Sequence, residues 1–241
     1  MAEDDARTRR PEYLIMKDKQ PLKMIHELIT PDSLFDAVIL GNGDYPSHDI
    51  PLGILRNARH IVCCDGAGAS LIGHGIVPEA IIGDGDSLPQ DFKRKYADII
   101  HIVNEQEHND QTKATLFCRE QGYRRIAYIG STGGREDHTI GNISLIMDYL
   151  DDYGMEPVMV TDHGYFIPCR GRNGFVTFAR QQVSIFNMGC TKINAEGLAW
   201  RTYGYRRWWQ GTLNEAEGDR VVIDTDGNCI VFFTHDAKVR V

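Results

Sequence analysis

The most restrictive feature of this chain is a phrase that recurs through its first half: a short apolar run that stops at a glycine or an acid–glycine turn. Ala37-Val38-Ile39-Leu40 ends in Gly41-Asn42-Gly43. His60-Ile61-Val62-Cys63-Cys64 runs into Asp65-Gly66-Ala67-Gly68, and Ala80-Ile81-Ile82 into Gly83-Asp84-Gly85-Asp86-Ser87. Ile99-Ile100-His101-Ile102-Val103 follows, and Arg125-Ile126-Ala127-Tyr128-Ile129 runs into Gly130-Ser131-Thr132-Gly133-Gly134. Short apolar runs closed by glycine read as buried strands. Helical segments lie between them: one reaching Gly73, one from about Asn109 to Gln121 with Gly122 placed to end it, and one from about Asp137 to Asp151. In the last, Ile140, Ile143, Met147 and Leu150 share a face. Strands alternating with helices predict a parallel sheet covered by helices, with ligands beyond the carboxyl ends of its strands.

After about Glu156 the helical period stops. Val158–Val160, Tyr165–Ile167, Phe175–Phe178, Gln182–Phe186, Val221–Ile223 and Cys229–Phe233 are short, turn-separated and rich in β-branched and aromatic residues. They predict a small antiparallel sandwich or barrel. The expected organisation is therefore a tail over 1–34 with one short ordered piece, an α/β domain over 35–168, and a β-sandwich domain over 169–241.

Composition narrows the function. Lys and Arg number 26 against 34 Asp and Glu, a net charge of −8, which excludes a general nucleic-acid binder but not a polyanionic small substrate. The N-terminal MAEDDARTRRPEYL lacks the apolar core of a signal peptide, and no run is long enough to span a membrane. The six cysteines form no CxxC pair, so they read as buried free thiols in a reducing, cytoplasmic setting.

Chemistry-bearing residues gather at the strand ends. Asp84 and Asp86, two apart on a glycine-flanked turn, can converge on a hard cation such as Mg²⁺. In Glu105-Gln106-Glu107-His108-Asn109-Asp110-Gln111-Thr112-Lys113, Asn109 or Asp110 can cap a helix. Lys113 then falls in the first turn, where a cation needs an anion or carboxylate to offset the helix dipole. Gly130–Gly134, followed by Arg135-Glu136-Asp137-His138, can offer backbone N–H groups and a guanidinium to phosphate. It matches neither a P-loop nor a GxGxxG fingerprint. All three tryptophans, Trp200, Trp208 and Trp209, lie within one short stretch, where they can stack on a flat or cationic ligand or fill an interface. No GxSxG elbow and no HExxH pair is present. The inventory suits Mg²⁺-assisted phosphoryl-type transfer.

Cys64-Asp65-Gly66-Ala67, Gly83–Ser87, Asp110-Gln111-Thr112-Lys113 and the loop ending in Arg135-Glu136-Asp137 resemble the thiamine pyrophosphokinase family, in its order and at similar spacings. Gly197-Leu198-Ala199-Trp200 extends the match, which spans about residues 36–235. The resemblance implies an α/β domain followed by a β-sandwich domain, usually in a homodimer. It implies transfer of a pyrophosphoryl group from ATP to the thiamine hydroxyl, giving thiamine diphosphate and AMP. By motif, Asp84, Asp86 and Asp110 would hold Mg²⁺, and Asp84, Asp110 and Lys113 would serve the reaction. Asp65, Gly66, Asp86, Thr112, Arg135 and Asp137 would bind ATP. Gln106, Trp200 and Asn214 would bind thiamine, with Trp200 stacking across the dimer interface. The chain departs from the family in Gly66-Ala67-Gly68, where relatives often carry Gly-Gly-Ala, and near Leu213, where a serine is common. The residues by themselves leave open another acceptor alcohol, such as a hydroxymethylpterin, and a non-catalytic sensor of thiamine phosphates or nucleotides.

Overall fold

The computed structural model describes residues 21–239. Its first strand, β1 (Met24–His26), is three residues long. Strands β2 (Ala37–Leu40), β3 (Ile61–Cys64), β4 (Ala80–Gly83), β5 (Ile100–Ile102), β6 (Arg125–Ile129) and β7 (Glu156–Val160) then alternate with helices. The helices are α1 (Asp49–Asn57), α2 (Ala67–Gly73), α3 (Gln90–Lys95), α4 (Asp110–Glu120) and α5 (Glu136–Asp151).

The six strands pair in parallel in the order β7-β6-β2-β3-β4-β5. Parallel strands are covered on both faces, so their residues are apolar throughout rather than alternating. All four residues of β2, β3 and β4 are accordingly buried. Val38 and Leu40 point into one core, Ala37 and Ile39 into the other. Burying a branched side chain such as Ile39 stabilises the fold by about 1.5–3 kcal/mol.

From β2 the chain winds to β3, β4 and β5 on one side, while β6 and β7 lie on the other. The loops leaving β2 and β6 therefore flank the reversal of strand order, where open α/β sheets form their ligand crevice. These loops touch backbone to backbone. A Cβ at Gly41 would lie 2.6 Å from the Gly130 carbonyl oxygen, which is why the strand ends carry glycine.

The remaining strands are β8 (Gly164–Val176), β9 (Gln181–Asn187), β10 (Ile193–Glu196), β11 (Asn214–Glu215) and β12 (Arg220–Ala237). They extend the same sheet antiparallel, as β7-β8-β12-β9-β11, with β10 on β12. Two expected pairs of short strands are thus two long ones. Arg170-Gly171-Arg172-Asn173 and Asp224–Asn228 look like turns in sequence, yet they face each other across an irregularity and the ladder resumes beyond it. The expected boundary at 168/169 falls inside β8. Val183 and Ile185 of β9 share a core with Ile193 of β10 and with Val221, Ile223 and Val231 of β12. Within the segment expected as a tail, β1 pairs with Asn173–Phe175 of β8. His26 stacks on Phe175 at 4.8 Å and its Nε2 lies 3.2 Å from Asn173 Oδ1. All six cysteines are buried and unbridged.

Candidate active site

The loops after β2, β3, β4, β5 and β6 surround one cleft of about 500 Å³ at the carboxyl edge of the parallel sheet. Asp65, Asp84, Gln106, Asp110, Lys113 and Arg135 line it, together with Asn42, Ser131, Gly133, Gly134 and Asn142. A larger cavity of about 620 Å³ lies at the amino edge, by Phe35, Asp36, His60 and Arg125. Its carboxylate is already engaged: Asp36 accepts the Arg124 and Arg125 amides at 2.8 and 2.9 Å. The chemistry therefore points to the carboxyl-edge cleft.

Asp65 ends β3 in a left-handed conformation (φ +38°), which aspartate tolerates better than most residues. It is buried. Oδ2 accepts the Ser87 amide at 3.2 Å, while Oδ1 has no partner. Ser131 Oγ and Gln111 Oε1 are also buried and unpartnered. Unpaired polar atoms in a protein interior cost free energy, so three among the residues lining one cleft mark a candidate ligand site.

Helix α4 carries the second group. Asn109 caps it, its Oδ1 accepting the Thr112 amide at 2.9 Å. Asp110 and Lys113 are three apart and so share a helix face, with Lys113 Nζ 3.5 Å from Asp110 Oδ1. Lys113 is only 7% exposed, so Asp110 is the compensating carboxylate that its first-turn position required. Burial raises the Asp110 carboxyl above its ordinary range. Lys113 opposes that rise, and the charges of Asp65 and Asp84 add to it. Three carboxylates thus feel one another across the cleft.

The loop after β6 is the third group. Gly130, Gly133 and Gly134 take positive φ. The Gly130 carbonyl accepts from the Gly43 amide (2.8 Å), Ser131 from Asn142 Nδ2 (2.8 Å), and Thr132 from the Asp44 amide (2.9 Å). Turning carbonyls outward in this way leaves backbone N–H groups as the loop's free polarity, the arrangement of an anion nest. At its end Arg135 forms a fork to Asp137, with Nη2 at 2.6 Å and Nε at 3.1 Å, which holds the Asp137 carboxyl below the usual range.

Other expected residues lie outside the cleft. Asp86 is exposed and follows Gly85 in a left-handed conformation (φ +76°), its amide donating to Asp84 Oδ1 at 3.1 Å. Thr112 is on the opposite face of α4 from Asp110, and its hydroxyl lies 2.8 Å from Tyr149 Oη in the core. Gly66 caps α2 beneath the Asn42 side chain. Trp200 and Asn214 line a separate cavity of about 250 Å³ in the β-rich half. Asn214 spends its amide on the Trp200 backbone, accepting from its N–H (3.1 Å) and donating to its carbonyl (2.8 Å).

Sequence reasoning singled out neither Asn42 nor Asn142, and it gave Gln111 no role. Asn42 stood in a glycine stop read only as the end of a strand. Asn142 carried a usable signal, since asparagine is a poor residue for a helix interior.

Two family models match this chain: the thiamin pyrophosphokinase catalytic domain over residues 53–156 and the thiamin pyrophosphokinase substrate-binding domain over 164–232. The chain belongs to the thiamin pyrophosphokinase family. Thiamin pyrophosphokinase 1 of Caenorhabditis elegans is 29% identical over 116 residues, covering 44% of this chain and 46% of that protein. The thiamine pyrophosphokinase of Bacillus subtilis is 35% identical over 81 residues, covering 32% and 38%. These matches span less than half the length of either relative. The fold agrees over more of the chain. Thiamin pyrophosphokinase from Candida albicans superposes with a TM-score of 0.74 at 15% identity, covering 90% of this chain and 95% of that one. The Bacillus subtilis structure gives 0.68 at 18% identity, covering 83% and 99%.

Proposed function

We propose that this chain moves a pyrophosphoryl group from ATP to the hydroxyl of thiamine, forming thiamine diphosphate and AMP. The observation that carries the reading is the convergence of Asp65, Asp84, Asp110 and Lys113 with a loop whose carbonyls are turned out, at the ends of successive strands of one sheet. Membership of the thiamin pyrophosphokinase family favours thiamine over a pterin alcohol and catalysis over sensing.

The donor set fits a magnesium ion. Among the described residues no three acidic, histidine or cysteine side chains form a ready metal cage. Mg²⁺ does not need one, because it takes one or two carboxylates and completes its shell with water and substrate phosphates. Asp84 and Asp110 would hold it, with the unpaired Asp65 Oδ1 beside them; Asp86 faces solvent. When bound, the ion offsets phosphate charge. The chain's own residues do the rest. The glycine loop and Arg135 bind phosphate oxygens, and Lys113 offsets charge from the α4 side. Asp84 or Asp110 accepts the proton of the thiamine hydroxyl. That oxygen then bonds to the β-phosphorus of ATP. The bond from this phosphorus to the bridging oxygen breaks, and AMP leaves with its electron pair. Positioning supplies most of the acceleration.

Gln106 lies at the cleft rim to meet thiamine. Trp200 offers an aromatic face to the permanently cationic thiazolium, which suits it better than a basic residue. Trp200 is exposed, as are Tyr203, Trp208, Trp209 and Leu213. Exposed apolar surface of this kind marks an interface, and a homodimer would bring Trp200 of one copy to the cleft of the other. The reading carries a cytoplasmic setting with no nucleic-acid partner, in keeping with the net charge of −8. Among the described residues no helix is long and apolar enough to cross a membrane.

The test is incubation of purified protein with ATP, Mg²⁺ and thiamine, read by mass spectrometry. Thiamine diphosphate and AMP in equal amounts are expected. Thiamine monophosphate with ADP, or turnover of a hydroxymethylpterin and not of thiamine, would overturn the assignment.

A further inference from the structure

Asn142 sits in the second turn of α5, where asparagine weakens a helix because its side chain competes for backbone groups. Here both ends of the amide are used, and both of its bonds leave the helix. Nδ2 donates to the Ser131 carbonyl at 2.8 Å. Oδ1 accepts from Asn109 Nδ2 at 2.9 Å. The Asn142 backbone carbonyl also receives Gln111 Nε2 at 3.3 Å.

Its two partners belong to the two segments that must act together. Ser131 lies in the glycine loop, and the bond from Asn142 turns its carbonyl outward. The neighbouring carbonyls of Gly130 and Thr132 are held by Gly43 and Asp44, from the loop after β2. Asn142 holds the middle one from α5. Asn109 caps α4, so its position sets where Asp110 and Lys113 begin. One amide therefore links the phosphate-facing loop to the carboxylate–lysine face. No other side-chain hydrogen bond among the described residues joins these two segments through a single residue.

We propose that Asn142 is a positioning residue for the transfer: acting through Ser131 and Asn109, it fixes the gap between the glycine loop and the start of α4. The proposal rests on the pyrophosphoryl-transfer reading above. That gap governs whether ATP, held by the loop, is aligned with an acceptor oxygen beside Asp110. A misplacement of about 1 Å in such a reaction costs up to about a hundredfold in rate.

The decisive variant is Asn142→Asp. It keeps the shape and the acceptor for Asn109, but it sets a carboxylate oxygen against the Ser131 carbonyl in place of a donor. The expected result is a kcat at least about tenfold lower, a KM for thiamine within about twofold, and a melting temperature within a few degrees of wild type. Titration calorimetry with Mg²⁺ and α,β-methylene-ATP should show binding weakened about tenfold. Asn142→Ala and Asn109→Ala, tested singly and together, should be non-additive, because both cut the same link. If wild type makes no thiamine diphosphate, the functional reading fails, and the calorimetric comparison still decides the role of Asn142. Wild-type kcat and nucleotide affinity in Asn142→Asp would overturn the proposal. So would a loss of activity that only tracks the folded fraction, with kcat per folded molecule unchanged.

Discussion

Lys113 and Trp200 represent two ways of building a binding surface. Lys113 is buried on the first turn of a helix and paired within the chain to Asp110. Around it every loop leaves a strand of one sheet, and the carbonyls of the glycine loop are tied down by neighbouring backbone and by the Asn142 side chain. Trp200 is 54% exposed and Trp209 73% exposed, in the stretch between β10 and β11. Phosphate carries localised charge and needs donors fixed in advance, which strand ends and helix starts supply. A flat cation needs a broad aromatic face, which a loop can supply once something covers its other side. On the proposed reading, the α/β half holds its phosphate site within one chain, and the exposed aromatics of the β half would serve the cleft of a second.

The strongest way to break this comparison is to remove charge from the α/β half. Asp84→Asn should lower kcat/KM on the order of a thousandfold. Relief of like-charge crowding among Asp65, Asp84 and Asp110 should leave thermal stability unchanged or slightly raised. Retention of wild-type turnover in steady-state assays would remove the carboxylate cluster from the mechanism.

A smaller effect is expected in the β half. Trp200→Ala should raise KM for thiamine about thirtyfold, the order of a desolvated cation–π contact, with KM for ATP unchanged. Mixing sharpens the test. Assayed at thiamine well below the wild-type KM, where each alone is nearly inactive, Asp84→Asn and Trp200→Ala copies should recover about a quarter of wild-type activity when re-equilibrated, since half of the dimers then hold one intact site of two. If activity stays additive on mixing, each copy uses its own tryptophan.

The same contrast governs how much could be read before the structure. The α/β half was legible because glycine and acid stops fell after apolar runs, which put Asp65 and Asp84 at strand ends, while a helix cap put Asp110 and Lys113 in the first turn of a helix. The inner and outer faces of a turn or helix start were not legible. Thr112 and Asp110 are two apart, which on a helix separates them by more than half a turn, and a motif string hides that rotation. Asp86 was similarly indistinguishable from Asp84 until the positive φ of Gly85 was known. In the β half, turn-like residues between Pro168 and Gly174 and between Asp224 and Asn228 concealed two long strands, because an irregularity can interrupt a ladder without ending it. β1 was too short to show a period, and its pairing with β8 spans about 150 positions of sequence.

Acid offers the mildest test, because two half-buried histidines both belong to the β half. Burial lowers the pKa of His26, whose bond to Asn173 only partly offsets it while the charge of Arg125 adds to the fall. Burial also lowers that of His235, against its bond to the Thr161 carbonyl. A histidine kept neutral by the fold binds its proton more readily once unfolded. The unfolded chain therefore takes up more protons just below pH 6.5, and stability is present above that value and lost as pH falls through it. For His26 the loss acts through β8, to which β1 is held by three register pairs, the bond to Asn173 and the ring stacked on Phe175. His26→Phe keeps the stack and cannot titrate. Melting followed by tryptophan fluorescence reads this half, as all three tryptophans lie in it. Between pH 7 and pH 5 the variant should lose less thermal stability than wild type, while above pH 7 the difference between the two, set by the lost bond to Asn173, should stay constant. Parallel curves across the whole range would show that β1 docks without regard to the charge on His26.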